Sequence, residues 1–489
     1  MTQEKKNLIN YPIGTVGRDM VYNLFTNFIL MFILYTRIGI THEQLAAITT
    51  IMVAARIFDA LNDPVMGNII EKTRTKYGKF KPWLAIGIVL TSIVVYLAFN
   101  TNLQGWDFII FFGIIYFMYS ITYTMHDISY WGMVPALSKD SDTRNKLTAR
   151  ATLFAGIGGT IASICIPLFT TGEFALGGSA KTAYGRIALI IAILSPLFIL
   201  FTLFGTKENR DDMETEAPPL SFKKIANTII KNDQLMIVAL AFLLQEIGNG
   251  IVLGGAGSNY IYFEFGYEGG MYSTFTTVGM MATAVLMVFY PAISRKVSRK
   301  RLVYIMTVGA AVGYAIQLCG GVFMPSSTIK FWVLTIGFML ANFGQYGFYL
   351  VLMISIINTV EYNEYKYGTR DEAIITSMRP FLTKLSSSVT VIITSLTYML
   401  FRVTDYTNKI SEYETQAEQG LVTAAEKTSL ISDIISGVMN YQKVGLLASM
   451  TILPFVMMLI ASIIYIKKYD LTEEVYDDIC VKIEKRKES

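Results

Sequence analysis

Charged residues are scarce in this sequence of 489 residues: Asp, Glu, Lys and Arg make up only 16% of it. Ordinary soluble domains contain about 25% charged residues. Hydrophobic residues reach 53%, and they fall in blocks of about 20 or more, the length needed to cross about 30 Å of hydrocarbon as a helix. The composition therefore excludes a soluble globular protein and predicts an integral membrane protein.

Cysteine and histidine are rarer still, with three and two residues in the whole chain. Cys165 and Cys319 lie in apolar blocks and Cys480 lies in the polar C-terminal segment, a spacing that gives neither a disulfide framework nor a metal site. His42 and His126 do not form a visible nucleophile and base pair with other residues, which a membrane-embedded enzyme would need. We therefore expect no enzyme activity and no cofactor, and we interpret His126 as a packed side chain.

Twelve apolar segments are long enough to be membrane-spanning helices. Because twelve is even, both termini are expected on the same side of the membrane. The predicted spans are residues 10–36, 44–70, 83–100, 107–135, 150–172, 184–205, 234–262, 271–293, 302–324, 330–359, 373–401 and 442–467.

The polar connections between these spans sort by charge. The connections EKTRTKYGKFK and SRKVSRKR each hold five Lys or Arg, and SKDSDTRNKLTAR holds four, all on the side of the N-terminus. Connections on the other side, such as NTNLQGWD, hold none. Since cytoplasmic loops carry the excess of Lys and Arg, we expect a multi-pass plasma-membrane protein with both termini in the cytoplasm.

The spans form two groups of six, separated by a polar cytoplasmic linker at residues 206–233. We predict an N-terminal six-helix bundle at 1–205, a C-terminal six-helix bundle at 234–467 and a cytoplasmic tail at 468–489. A basic segment follows the second span of each half, which indicates an internal repeat. Two related bundles with a binding site near mid-membrane are typical of a secondary transporter. A channel would not need two charged halves of this kind.

An unusually long outer loop, residues 403–441, precedes the last span. It contains TAAE at residues 423–426, which is a capping-box pattern for the start of a helix. We expect a short amphipathic helix outside the bilayer; the alternative is a mobile, solvated loop. Its apolar residues are Leu430, Ile431, Ile434 and Ile435.

The second span carries charges that are costly in lipid. On a helix, Arg56, Asp59, Asn62 and Asp63 project from one stripe. Each central charge costs roughly 2.5–3.5 kcal/mol unless it faces protein, water or an ion. Two carboxylates with an amide beside them can hold Na⁺, or one carboxylate can carry H⁺. The alternative is a buried salt bridge with Arg56 that only pins two helices.

Four stretches resemble one known family. They are GTVGRDM in span one, ARIFDALNDPVMGNIIEKTRTKYGKFKPWLAIG in spans two and three, TYTMHDISYWGMVPAL in span four, and VEYNEYKYGTRDEAIITSMRPFLTK before and within span eleven. They resemble the glycoside-pentoside-hexuronide:cation symporters, the melibiose-permease kin within the major facilitator superfamily. The resemblance implies an all-α membrane protein of twelve helices in two six-helix bundles. It also implies alternating access and symport of a sugar-like solute with Na⁺, Li⁺ or H⁺.

The resemblance also implies roles for individual residues. Asp59, Asn62 and Asp63 match cation ligands, and Thr124 matches a fourth ligand from span four. The residues that match the sugar site and the charge network around it are Arg18, Asp19, Asp127, Trp131, Arg150 and Lys384. Alternatively, Asp19 pairs with Arg18 or Arg150, and Asp127 with Lys384, as ion pairs that hold one conformation.

Span eleven departs from the pattern of the melibiose transporters. Arg379 and Pro380 stand where those transporters carry small polar sugar contacts, five and four residues before Lys384. A guanidinium binds carboxylate through two hydrogen bonds, so Arg379 favours a hexuronide or glucuronide if it lies at the pocket. The alternative is that it faces the cytoplasm or pairs with an acid such as Glu361.

The expected partners are a small glycoside or sugar acid, a coupling cation and the lipid bilayer, with no nucleic acid and a monomeric state. A symporter of a lysolipid-like amphiphile is the nearest alternative within the same fold.

Overall fold

The computed structural model describes residues 3–138, 140–208 and 222–488, and it has no strand among them. A 3₁₀ turn (Gly172–Phe174) follows α6, and a π-helical turn (Val252–Ala256) joins α9 to α10. The helices are α1 (Gln3–Asn27), α2 (Ile29–Thr36), α3 (His42–Lys72), α4 (Lys81–Phe99), α5 (Gly105–Leu137), α6 (Ser141–Thr170), α7 (Ala180–Gly205), α8 (Phe222–Lys231), α9 (Asp233–Ile251), α10 (Gly257–Phe265), α11 (Gly269–Ser294), α12 (Arg299–Phe323), α13 (Thr328–Tyr367), α14 (Glu372–Leu400), α15 (Thr404–Glu418), α16 (Ala424–Ser436), α17 (Asn440–Lys468) and α18 (Glu473–Glu488).

Ten of the described helical segments are long and apolar enough to cross a membrane. Two bent pairs, α1 with α2 at 50° and α14 with α15 at 90°, bring the count to twelve if each pair is one span. Large apolar side chains are exposed on these helices, including Phe204 and Phe323, as expected for surfaces that face lipid. The predicted all-α membrane fold is confirmed.

Several helices begin where a short polar side chain satisfies the first free backbone N–H groups. The side chains of Asp140, Ser179 and Asn232 each accept a hydrogen bond from a backbone N–H three residues later, at the starts of α6, α7 and α9. At the start of α4, the carboxylate of Glu208 accepts from the backbone N–H of Lys79 and of Lys81, both at 3.0 Å. Burial raises the pKa of Glu208, against the effect of these hydrogen bonds.

The chain divides into two compact units. Unit 1 comprises Met1–Pro219, Ile261–Thr274 and Tyr398–Val438. Unit 2 comprises Leu220–Tyr260, Phe275–Thr397 and Met439–Ser489. The predicted domain boundaries stay a prediction, and residues 209–221 of the predicted linker lie outside the described residues.

In unit 1, α1 packs against α6 and α7 and also contacts α5 through side chains. Tyr11 and Tyr130 stack with ring centroids 4.4 Å apart, and each hydroxyl donates to the other residue's backbone carbonyl, at 2.8 and 2.7 Å. Gly158 of α6 lies so close to α1 that a Cβ there would come within 2.2 Å of the Val16 carbonyl oxygen. These contacts fix the rotation of α1, and with it the direction in which its polar residues point.

In unit 2, the closest helix contact is between α12 and α13. A Cβ on Gly313 would approach the backbone nitrogen of Ala341 to 2.3 Å, so only glycine allows this separation. Between α9 and α10, the helix is broken at Gly255 in the π-helical turn, where a φ of 123° is in the region that favours glycine. A rigid helix pair and a locally broken helix therefore occur in the same unit.

The outer loop contains two helices, α15 and α16, and they pack on the rest of unit 1. The predicted capping box is confirmed: Thr423 Oγ1 accepts from the Glu426 N–H, and Glu426 accepts from the Thr423 N–H at 2.8 Å. Ile431 and Ile435 of α16 are buried, which confirms the predicted amphipathic helix.

Candidate functional site

The polar stripe predicted on the second span lies on α3 and faces α5. Ser120 Oγ donates a hydrogen bond to Asp59, and Thr124 Oγ1 donates to Asp63 Oδ1 at 3.3 Å. The hydroxyls and the carboxylates have the same four-residue spacing, so the two helices present matching rows. We call Asp59, Asn62, Asp63, Ser120 and Thr124 the α3–α5 cluster.

Asn62 has a buried side-chain nitrogen that finds no hydrogen-bond partner among the described residues. An unsatisfied buried amide costs about 1–3 kcal/mol, so such a group points to a missing partner. Rotation of the amide by 180° would place its oxygen at the same position, where it could contact a cation. The donor set of this cluster, carboxylate, amide and hydroxyl oxygens, fits a hard cation such as Na⁺.

Arg56 belongs to the same stripe and is buried. Its guanidinium lies among Tyr116, Tyr22 and Tyr119 and within electrostatic range of Asp59. One positive charge against the two carboxylates of the α3–α5 cluster leaves a net charge of −1. A single monovalent cation would balance this charge. The cation site and the alternative of a salt bridge with Arg56 both stay predictions.

A second group of predicted residues meets between α1 and α5. Arg18 donates to Asp19 Oδ2 from Nη2 at 2.8 Å and forms an ion pair with Asp127, while Thr15 Oγ1 donates to Asp19 at 2.5 Å. The guanidinium lies 5.0 Å from the centre of the Trp131 ring. We call Arg18, Asp19, Asp127 and Trp131 the α1–α5 cluster.

Exposure differs across the α1–α5 cluster. The Arg18 side chain is 5% exposed, whereas those of Asp19 and Asp127 are 19% and 34% exposed. Trp131 is half-buried. Arg18 is therefore the most buried member, while Asp19, Asp127 and Trp131 each keep part of their surface exposed. The ion pair of Asp19 with Arg18, one of the alternatives considered from the sequence, is present.

Two other predicted site residues are Arg150 on α6 and Lys384 on α14. Arg150 is exposed, and its Nη1 donates to the carbonyl oxygen of Leu8 at 3.0 Å. Leu8 precedes Asp19 by eleven residues, or about 16 Å along a helix, so this hydrogen bond lies well away from Asp19. Lys384 is half-buried on α14 in unit 2. Their assignment to a binding site stays a prediction.

Arg379 is also on α14, and its partner is a tyrosine. Its Nη2 donates to Tyr349 Oη on α13 at 2.9 Å. Glu361, the alternative partner considered from the sequence, instead pairs with Arg370 at 2.9 Å. The pairing of Arg379 with Glu361 is therefore not found.

Ser120 is a residue of these sites that was not predicted from the sequence. Ser120, Thr124, Asp127 and Trp131 are spaced by four, three and four residues, the spacing of one helix face. That regularity was the available signal. His126, between two of them, points away from this face and is fully buried beside Tyr123, as the packing interpretation predicted.

Known proteins with similar sequences are sugar transport proteins. Residues 10–432 match the family described as MFS/sugar transport protein. A lactose permease of Leuconostoc lactis is 28% identical over 405 residues, which are 78% of this chain and 60% of that protein. A raffinose carrier protein of Pediococcus pentosaceus is 26% identical, over 97% of this chain and 71% of the carrier. The chain thus spans about 60–70% of the length of these relatives.

Among solved structures, a bacterial homologue of the lysosomal transporter Spinster, inward-facing and unoccupied, is similar with a TM-score of 0.64. The alignment covers 99% of this chain and 98% of that one at 12% identity, which supports the fold alone.

Proposed function

Because the chain belongs to the MFS/sugar transport protein family, and within it to the glycoside-pentoside-hexuronide:cation symporters, we propose that it couples entry of a sugar or glycoside to entry of a cation. The similar proteins are transporters, which agrees with the expectation that the chain is not an enzyme. The α3–α5 cluster binds the cation, and the α1–α5 cluster binds the solute.

The observation that carries this proposal is the shared face of α5. Ser120 and Thr124 contact the carboxylates of α3, while Asp127 and Trp131, on the next turn, belong to the α1–α5 cluster. Thr124 and Asp127 are three residues apart, or about 4.5 Å along the helix. Two sites on one rigid helix face can influence each other through small movements of that helix.

The α1–α5 cluster has the chemistry of a sugar site. Carboxylate oxygens of Asp19 and Asp127 accept hydrogen bonds from sugar hydroxyls, and Arg18 holds both in position. The Trp131 ring offers an apolar face for the C–H side of a pyranose. Replacing water at these oxygens by sugar hydroxyls keeps both carboxylates satisfied.

The α3–α5 cluster supplies the coupling. A bound Na⁺, or a proton on one carboxylate, neutralises the net charge of −1 that the cluster and Arg56 carry together, and it draws α3 and α5 together at Ser120 and Thr124. This positions Asp127 for the solute. By thermodynamic reciprocity, the bound solute then strengthens cation binding by the same factor. Na⁺ and H⁺ both fit this arrangement.

The positions of charge in the sequence support a location in the plasma membrane with both termini in the cytoplasm. The basic connections EKTRTKYGKFK and SRKVSRKR then face the inner surface. We propose that the chain acts as a monomer.

Equilibrium binding tests the two-site arrangement. Affinities of purified protein for lactose and raffinose are measured by calorimetry with Na⁺ present or absent, and at two pH values. We expect one of the cations to raise sugar affinity, and Asp63→Asn to abolish this cation effect while sugar binding persists. Asp127→Asn should abolish sugar binding while cation binding persists.

Asp142→Asn is the matched control, because Asp142 is an exposed acid on α6 outside both clusters. It should behave as the wild type. Loss of both ligands in each of the two cluster variants would instead show that Asp63 and Asp127 only maintain structure.

A further inference from the structure

The outer loop begins at a strained backbone position. Arg402, between α14 and α15, has a φ of 51°, and it is the one non-glycine residue with a positive φ in the described part of the chain. Side chains other than glycine rarely adopt this left-handed conformation, so the surrounding contacts must hold it. The chain bends by 90° from α14 to α15 at this point. Strain of this kind is typical of segments that switch between two conformations.

A buried ion pair holds the outer loop on the start of α7. The side chains of Lys427 and Glu414 are only 2% and 1% exposed, and they pair at 3.1 Å. Lys427 also donates to the Gly178 carbonyl, and Glu414 accepts from the Ala180 N–H. Neither charge is tolerated in this position without the other, because a single buried charge is strongly unfavourable. The four groups therefore hold or release the outer loop together.

Two further polar contacts lie along α15. The Asn408 amide exchanges two hydrogen bonds with the backbone of Ile40, which follows α2, and Glu418 pairs with Lys181 of α7 at 2.9 Å. From Asn408 to Glu418, α15 is bound over ten residues, or about 15 Å of helix. Water can replace each of these partners when the outer loop moves away, so the attachment is reversible.

The docked outer loop also contacts the segment Ile261–Thr274. Phe263 of this segment packs on Tyr406 of α15 with ring centroids 5.7 Å apart, and Tyr267 packs on Tyr35 of α2 at 5.0 Å. The outer loop and this segment belong to the second half of the sequence, but both pack on its first half within unit 1. The docked outer loop thus ties together segments from both halves of the sequence.

We propose that the outer loop is a latch that releases from the rest of unit 1 during each transport cycle. The buried pair of Lys427 and Glu414 keeps the latch closed, and Arg402 is the hinge. This inference rests on the proposed transport function, because a carrier that takes up solute from outside has to part the segments that the latch holds. Release exchanges the polar contacts of α15 and α16 for contacts with water and frees Arg402 from its strained φ.

A reversible crosslink tests whether release is necessary. Lys181→Cys and Glu418→Cys are combined, and a reducible crosslinker with two methanethiosulfonate groups joins the two positions. Cation-driven uptake of labelled lactose and raffinose is then measured in proteoliposomes. The crosslinked protein should lose uptake, and reduction of the crosslink should restore it. Each single variant, treated with the same reagent, is the matched control and should transport as before, since its outer loop stays free to move.

Thiol labelling tests the role of the buried pair without any solute. Ile410 of α15 is fully buried beneath the docked outer loop, so Ile410→Cys should react slowly with a maleimide. Adding Lys427→Met should speed this reaction about tenfold or more, because the remaining carboxylate favours the released, hydrated form. Ile48→Cys is the matched control, since Ile48 is equally buried on α3; an unchanged rate there separates release of the latch from general unfolding.

Unaltered uptake by the crosslinked protein would overturn the latch, as would equal labelling at position 410 with and without Lys427→Met. Failure of the proposed function has a different signature: no cation-driven uptake by the protein before crosslinking. In that case, the labelling rates alone decide whether the outer loop releases.

Discussion

Ser120 is the residue that structure adds most directly to the cation site. Its hydroxyl donates to Asp59 from the α5 face that also carries Thr124. Ser120→Ala removes this hydrogen bond and leaves the packing of the helices intact. Because one hydrogen bond contributes about 0.5–1.5 kcal/mol, we expect a two- to tenfold weaker cation effect on sugar binding.

Titration of sugar affinity against Na⁺ or H⁺ measures this change. Ser92→Ala is the matched control, because Ser92 is equally buried on α4 and its hydroxyl donates to the Ile88 carbonyl of its own helix at 2.8 Å. An equal shift in both variants would remove Ser120 from the cation site.

For single residues, the sequence predicted the charged residues of the candidate sites more readily than the groups that contact them. Asp59 and Asp63 stand out because charges are rare in apolar segments, and their spacing is visible in the sequence. Arg150 matched a motif, but its hydrogen bond to the Leu8 carbonyl oxygen could not be read from any local pattern.

Among the elements, the pair α15 and α16 shows how the outer loop is attached within unit 1. Lys427 Nζ pairs with Glu414 at 3.1 Å and donates to the Gly178 carbonyl at 2.8 Å, and Glu414 accepts from the Ala180 N–H at 2.6 Å. Both charged side chains are nearly fully buried. Asn408 makes hydrogen bonds in both directions with the backbone of Ile40, at 2.9 and 3.0 Å.

This attachment predicts a large loss of stability on removal of one charge. Lys427→Met leaves the Glu414 carboxylate buried without its cation, a change that costs about 3–5 kcal/mol in buried pairs. We expect a clearly lower thermal unfolding midpoint, measured by intrinsic fluorescence in detergent.

Lys181→Met is the comparison variant, because the ion pair of Lys181 with Glu418, at 2.9 Å, is more exposed. Pairs near the surface contribute about 0–1 kcal/mol, so the midpoint should hardly change. Similar midpoints for the two variants would show that the buried pair does not anchor the outer loop.

The helix α16 itself was predictable from local sequence, because its capping box and apolar spacing lie within thirteen residues. The way in which the outer loop packs on the rest of unit 1 could not be predicted from local sequence. Glu414 and Ala180 are 234 positions apart, and no local pattern joins them. The same limit applies to the 50° bend between α1 and α2, at which the sequence has neither Gly nor Pro.

For the whole molecule, composition and the lengths of apolar segments were sufficient to predict an all-α membrane protein. The even number of spans and the charge of the connections led to the two-bundle plan, and four motifs led to the family. Compactness groups Ile261–Thr274 and Tyr398–Val438 with the N-terminal half, which sequence order could not indicate. Contacts between distant segments, and not local pattern, decide that grouping.

The central claim, cation-coupled sugar transport, is tested most directly by uptake into proteoliposomes that contain the purified protein. A panel of radiolabelled neutral glycosides, including lactose and raffinose, is supplied with an inward gradient of Na⁺, H⁺ or neither. The account predicts transient accumulation above the external concentration with one of the two cations, abolished by the matching ionophore and by Asp63→Asn. Sugar uptake that is the same with every gradient and with none would contradict it.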